Sequence, residues 1–255
     1  MANWTDLIEE LKRWAGAGQR PGLWWRDDDA VAPGPRLRQL TELSRTAGVA
    51  LALAVIPGRA EDTLKEVLAD LTGVKLLVHG LTHRNRAPAD QKKAEFGGHR
   101  PVYEMLGDAA IAWENLAGRF PELALPIFVP PWNRIDADLL PRLPLARLQG
   151  LSRFGPRAAA YPAPGLLECN CHLDLIDWHG GRGFLGKAEA LDKLIAHLQG
   201  RREGSADREE SSGILSHHNV MDQAGWDFLA ELFARTKECD GAHWLTIDEV
   251  FRLPQ

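Results

Sequence analysis

Asp27, Asp28 and Asp29 stand in a row directly after Leu23-Trp24-Trp25-Arg26. Three adjacent carboxylates repel one another when unpaired, and a cation beside them relieves that repulsion. The competing reading is an acidic turn that caps a helix. Further along, His79-Gly80-Leu81-Thr82-His83 sets two imidazoles at i and i+4. On a helical turn these share a face and can share a metal ion, while alone they are equally a pair of capping or surface histidines. A carboxylate from another strand turns two histidines into a metal site with open positions for water and substrate. Gly80 stands where a zincin carries its glutamate base, which disfavours that class of metalloprotease. Two more apolar runs end in Asp177-Trp178-His179 and in His217-His218.

These groups must be positioned by strands, because each follows a short apolar run. Strand candidates are 22–26, 49–56, 74–79, 127–130, 173–178, 213–217 and 242–244, and helix candidates are 35–47, 60–71, 102–119, 136–140, 187–198, 222–237 and 247–251. Alternation of this kind predicts β-α units around a parallel sheet. The ionisable residues then fall at C-terminal strand ends, the rim where the βα loops of a barrel bring catalytic groups together. The polar stretch 200–213 (GRREGSADREESSG) reads as a solvent loop, and 153–165 as a long irregular connection.

Composition sets the boundaries. The 255 residues carry 30 Lys+Arg against 35 Asp+Glu, a formal net charge of −5, which gives no electrostatic case for a nucleic-acid partner. A hydrophobic fraction of 45% and a charged fraction of 25% fit one ordinary globular domain and exclude a disordered chain. Residues 1–18 read as an amphipathic helix without the apolar region of a signal peptide, and no apolar run approaches the ~20 residues of a membrane span. The expectation is a cytoplasmic protein with no membrane insertion. Cys169, Cys171 and Cys239 are an odd set, two of them only two apart, and predict no disulfide framework. Nine Trp against two Tyr is the compositional oddity, since such rings line sugar pockets as readily as they fill cores.

From Trp24 to about Val250 the sequence resembles the polysaccharide deacetylases, the NodB-homology or carbohydrate esterase family 4 proteins. Arg26-Asp27-Asp28-Asp29-Ala30 resembles their first motif, Thr-Phe-Asp-Asp-Gly, and 79–83 the second, His-Ser/Thr-x-x-His, with Gly80 in the hydroxyl position. Val129-Pro130-Pro131-Trp132-Asn133 is similar to the third motif, with Val129 where Arg is expected, and Arg26 and Arg134 as nearby substitutes. Asp174-Leu175-Ile176-Asp177-Trp178 and Leu215-Ser216-His217 match the fourth and fifth. The resemblance implies a distorted (β/α) barrel of about seven parallel strands over 22–252, with an extra N-terminal helix at 1–18, in a single domain spanning 1–255. It implies a metal-dependent hydrolase removing an N-acetyl group from a sugar or glycan. Asp29, His79 and His83 would hold the divalent metal, most often Zn2+, with Asp28 as general base, His217 as general acid and Asp177 tuning His217. A register slip by one would make Asp27 the base and Asp28 the ligand. Trp132 would lend a backbone N–H to the oxyanion, and Pro131, Asn133 and Trp178 would line the substrate site. Trp24 and Trp25 lie beside the motifs and are expected to wall the pocket; the loop Glu95–Arg100 is expected to close over substrate. Two further readings stay open: a sugar-binding pseudoenzyme, and an O-acetyl esterase or small-amide hydrolase.

Overall fold

In the computed structural model, which describes residues 1–68, 71–239 and 241–252, every strand pairing is parallel. In chain order the elements are α1 (Trp4–Gly16), β1 (Gly22–Ala30), α2 (Pro35–Ala47), β2 (Leu51–Val55), α3 (Leu64–Leu68), β3 (Val74–Val78), α4 (Val102–Arg119), β4 (Ala124–Phe128), β5 (Gly150–Leu151), β6 (Leu167–Glu168), β7 (Cys171–Asp174), α5 (Lys187–Glu203), β8 (Ser212–Ser216), α6 (Gln223–Glu238), β9 (His243–Trp244) and α7 (Ile247–Phe251). The helix expected at 60–71 is short, and its residues 69 and 70, like 240 and 253–255 of the expected domain, lie outside the described residues. The helix expected at 136–140 is a 3-10 helix, Ala137–Ala146, because Pro141 and Pro144 remove the donors an α-helix requires.

Strand order is β6-β5-β4-β3-β2-β1-β8-β7, with β9 beside the start of β1. The two ends of this row are joined by the chain itself. Leu167, Cys169 and Cys171 donate backbone N–H bonds to Gln149, Leu151 and Arg153 at 2.8, 3.0 and 3.0 Å, so 167–171 runs along 149–153 as one parallel ladder. The same segment continues into β7, whose Cys171 and Leu173 pair with Gly213 and Ile214 of β8. A ring of β1, β2, β3, β4, β5, the β6–β7 segment and β8 results, seven positions around. The start of β7 meets the residues beyond the end of β5, the stagger that strand tilt imposes on any barrel. The connection at 153–165 thus hides the closure of the barrel in two strands of two residues each.

Side chains divide with period two. Trp24, Ala52, Ala54, Leu77, Ile127, Val129, Cys171 and Leu215 fill one buried cluster together with Phe251 of α7, while Trp25, Leu53, Leu76, Val78 and Leu173 join the cluster beneath the helices. Trp24 meets Phe251 edge-on at 5.8 Å, and Trp25 lies 5.0 Å from Phe233 of α6. Both indoles are fully buried, so neither walls a pocket as expected from its position beside the motif. Helix α1 lies against α5, tied by buried Glu10, which accepts from Arg202 at 2.7 Å and from Arg13 at 3.1 Å. Among the described residues no helix is long and apolar enough to cross a membrane.

Candidate active site

Strand β1 ends in a backbone reversal that sorts its three aspartates. Arg26 and Asp28 share one face of the strand and Asp27 points to the other, while Asp29 takes φ 74 and leaves the alternation. A positive φ on a non-glycine residue is a strained choice held in place by its surroundings. Here it turns the Asp29 carboxylate to the histidines that follow β3. Asp29 Oδ1 stands 3.2 Å from His79 Nε2 and 3.3 Å from His83 Nε2, buried and without a hydrogen bond of its own. Three ligand atoms within 4.8 Å of one another are grouped this way. His83 and Trp132 also take positive φ, 54 and 56, and their rings lie 4.4 Å apart.

The tautomers decide what such a group can hold. His79 Nδ1 donates to the Val129 carbonyl at 3.0 Å, which leaves the Nε2 lone pair free for a ligand bond. Burial opposes the charge on Asp29, but neighbouring His79 and then His83 hold its carboxyl well below the usual range. Burial, followed by the nearness of His79, pushes His83 down and favours its neutral, ligating form. Burial opposes charge on His79 as well, but Asp28 and Asp29 outweigh it and raise its pKa, so positive charge is favoured at the position where a divalent cation would displace that proton.

Behind this group, Arg26 grips Asp28 with a bidentate fork, Nε to Oδ1 at 2.8 Å and Nη2 to Oδ2 at 3.0 Å. Both residues are buried. The same guanidinium donates to Ser152 Oγ at 2.7 Å and Asn133 Oδ1 at 3.0 Å. Of the two arginines near the motif that lacks one at Val129, Arg26 pairs with Asp28, while Arg134 donates to the Lys93 carbonyl at the surface. Asp27 faces away from the cluster. It accepts from Ser216 Oγ at 2.6 Å and from the His218 amide at 2.9 Å, and its Oδ1 lies 2.5 Å from His218 Nδ1.

Asp177 requires a correction. Its carboxylate accepts the N–H groups of His179 and Gly180 in a local turn, and the group beside His217 is Asp174, 3.9 Å from its Nδ1. Asp174 also accepts from Trp178 Nε1 at 2.8 Å, and the exposed Trp178 ring stands edge-on to His217 at 4.8 Å. Both aspartates accept the N–H two residues on, Asp174 that of Ile176 at 3.0 Å and Asp177 that of His179 at 3.2 Å, but Asp174, at the end of β7, is the one that also reaches Trp178 and His217. The spacing of 79–83 carries a second correction: these residues form a loop, and the two rings meet through the left-handed turn at Gly80 and His83. Glu95 and Phe96, expected in a loop that closes over substrate, are buried, with Glu95 beneath the 81–83 amides.

A second histidine group shows the contrast. His172 of β7 and His197 of α5 stack at 3.4 Å beside Glu210, all three buried, although Glu210 falls in the stretch 200–213 expected to be solvent loop. The Gly213 N–H donates to His172 Nδ1 at 3.1 Å, so the neutral ring carries its proton on Nε2, facing Glu210 Oε2 at 3.3 Å. That nitrogen is a donor, and the group is a hydrogen-bonded joint between β7, α5 and β8. Burial, then the neighbouring His172 and Arg201, pushes His197 down to about 2; burial also lowers His172. The unfolded chain binds protons below its ordinary histidine pKa of about 6.5 that the fold refuses. Stability therefore falls with acidification, the His197 contribution approaching about 1.4 kcal/mol per pH unit below the unfolded value, with His172 acting in the same direction. Urea unfolding of wild type and His197→Gln between pH 7.5 and 4.5 should show the shallower acid slope in the variant; parallel slopes would refute the assignment.

No family model matches the chain, and none of the curated proteins does. Solved structures match along nearly its whole length. A family 4 carbohydrate esterase from Streptomyces lividans, in complex with acetate, aligns with TM-score 0.55 at 15% identity, covering 87% of this chain and 90% of its own. The chitin deacetylase of Colletotrichum lindemuthianum aligns with TM-score 0.54 at 18% identity over 91% and 88%. A family 4 acetyl xylan esterase from Clostridium thermocellum, in complex with a cobalt ion, aligns with TM-score 0.50 at 15% identity over 91% of each chain. The chain thus has the NodB-like fold of the family 4 carbohydrate esterases, a distorted (β/α) barrel.

Proposed function

We propose that this protein is a divergent polysaccharide deacetylase, a divalent-metal hydrolase that removes an acetyl group from an N-acetylated sugar or glycan. The observation that carries the reading is the buried, unpartnered Asp29 Oδ1 facing His79 Nε2 and His83 Nε2. Asp29, His79 and His83 hold the cation, for which zinc suits the two imidazoles and one carboxylate. When bound, it supplies Lewis acidity toward an acetyl oxygen and toward water. Support also comes from the fold shared with proteins described as deacetylases and acetyl esterases.

The chain's own groups do the rest. Asp28, oriented by Arg26, whose guanidinium is held in turn by Ser152 and Asn133, accepts a proton from water as the water oxygen bonds to the acetyl carbon. The backbone N–H of Trp132 donates to the carbonyl oxygen as it gains charge. The carbon–nitrogen bond then breaks, and His217 gives its proton to the nitrogen so that the amine departs neutral, leaving acetate. Asp174 orients His217, and the exposed Trp178 ring with Pro131 offers an apolar wall to the acetyl group and the sugar.

The test is metal content and acetate release. Purified protein should hold about one equivalent of zinc, lose acetate release from N-acetylated oligosaccharides on chelation, and regain it with Zn2+ or Co2+. Absence of bound metal, together with ligand binding unchanged in Asp29→Ala and His83→Ala, would sink the metal-hydrolase reading. Acetate released from O-acetyl sugars alone would replace the amide substrate by an ester.

A further inference from the structure

Of the three proposed metal-binding side chains, His83 stands farthest from its strand, five residues past the end of β3 and one past Thr82. Its left-handed backbone is a conformation that a histidine does not adopt unaided. What holds it is a buried carboxylate twelve residues away. Glu95 Oε1 accepts the Thr82 amide at 2.9 Å and the Thr82 hydroxyl at 2.6 Å, while Oε2 accepts the His83 amide at 3.0 Å and the Leu81 amide at 3.3 Å. Three successive N–H groups thus converge on one anion, a backbone concavity of the kind that elsewhere binds a free anion. Here the occupant belongs to the chain.

Glu95 is itself fixed. Arg100 donates to its carbonyl at 3.1 Å and pairs with Asp108 of α4 at 2.7 Å; the next residue, Phe96, is buried 5.0 Å from Phe128 and accepts the Asp136 amide at 2.7 Å. Gly80 completes the arrangement. It has φ 60, and a Cβ there would come within 2.4 Å of Glu95 Oε2 and 2.5 Å of Pro131 Cγ. A hydroxyl-bearing residue at this position and the Glu95 carboxylate compete for one space, so the missing hydroxyl and the presence of the buried glutamate are two sides of one solution.

We infer that Glu95 is the positioning residue of the metal-binding loop: its carboxylate sets the 81–83 amides and so aims His83 at Asp29. The inference rests on the metal-hydrolase reading of Asp29, His79 and His83. Groups that orient a ligand through hydrogen bonds typically change metal affinity about 10- to 100-fold when removed. Glu95→Ala should therefore weaken Co2+ binding about 10- to 100-fold by calorimetry and alter the visible ligand-field spectrum of the Co2+ protein, with the far-ultraviolet circular dichroism unchanged. Glu95→Gln keeps one acceptor oxygen but turns an NH2 toward amide donors, and should fall between wild type and alanine.

The outcomes separate cleanly. Wild type that binds Co2+ with Glu95→Ala equally tight and spectrally identical overturns the role of Glu95 and leaves the metal site standing. Wild type that does not bind Co2+ overturns the metal reading, and this inference with it. Should Glu95→Ala fail to fold, Glu95→Gln decides: affinity and spectrum equal to wild type overturn the inference, and a weaker, shifted Co2+ complex supports it.

Discussion

Arg26→Leu should cost about 3–5 kcal/mol of unfolding free energy, the size typical of leaving one member of a buried ion pair without its partner. Urea unfolding measures it. The variant strands the Asp28 carboxylate, the Ser152 hydroxyl and the Asn133 carbonyl oxygen without the donor they share, where Arg26 and Asp28 are only 0% and 2% exposed. Against a whole-domain stability of about 5–15 kcal/mol, that loss takes the protein close to unfolding near room temperature. Arg26→Lys should recover part of the stability, since one charge returns, but little acetate release, because an ammonium cannot reproduce the fork that orients Asp28. A loss below about 1 kcal/mol in Arg26→Leu would mean that Asp28 finds another partner and that Arg26 does not replace the missing arginine.

Under the proposed function, the Arg26–Asp28 ion pair supplies the guanidinium that position 129 lacks. Val129 is buried among Trp24, Ala52 and Leu77, and its carbonyl, not its side chain, serves the site by fixing the His79 tautomer. The guanidinium that the motif lacks arrives from β1, where residue 26 lies two positions before the carboxylate it holds and on the same strand face.

The strand ends that carry the site were legible because each is a short apolar run stopped by Asp or His: β3 and β8 end within one residue of their expected C-terminal limits, whereas β1 runs four residues further, through Asp27–Ala30. Barrel closure was not, because β5 and β6 have two residues each and draw their stability from neighbours on both sides rather than from their own apolar pattern. Trp24 and Trp25 were misplaced by proximity to a motif, although the alternation that puts Arg26 beside Asp28 also sends Trp24 into one core and Trp25 into the other. The choice between Asp174 and Asp177 turns on position: both close a local turn, and of the two only Asp174, the last residue of β7, also reaches Trp178 and His217, which a five-residue motif does not encode. Glu95 escaped notice for a different reason. Its partners are backbone amides, and backbone amides have no sequence signature; the one available clue was a lone carboxylate before Phe96-Gly97-Gly98, a segment otherwise suited to flexibility.

Three adjacent aspartates should give three different phenotypes. Asp28→Asn removes the group that takes the water proton, so acetate release should fall about 10²- to 10⁴-fold, the range for loss of a general base, while metal content stays at the wild-type level. Asp29→Asn should lose the metal along with activity, because an amide is a poor substitute for the anionic ligand between two imidazoles. Asp27→Asn should keep its metal and most of its activity and instead lose stability, since Asp27 pairs with buried His218 and ties the residues on both sides of His217 to β1. Burial alone would lower the His218 pKa, but Asp27 outweighs it and raises it. A raised folded-state pKa stabilises fully below the unfolded value of about 6.5 and loses its contribution as pH climbs through the folded value. The stability deficit of Asp27→Asn should thus be greatest at pH 6 and narrow at pH 9. Metal analysis, acetate release and urea unfolding on the three variants decide the register: loss of metal in Asp28→Asn, with loss of turnover alone in Asp27→Asn, would shift every assignment by one residue, and the geometry of β1 argues against it, because Asp27 faces His218 and only Asp29 reaches the histidines after β3.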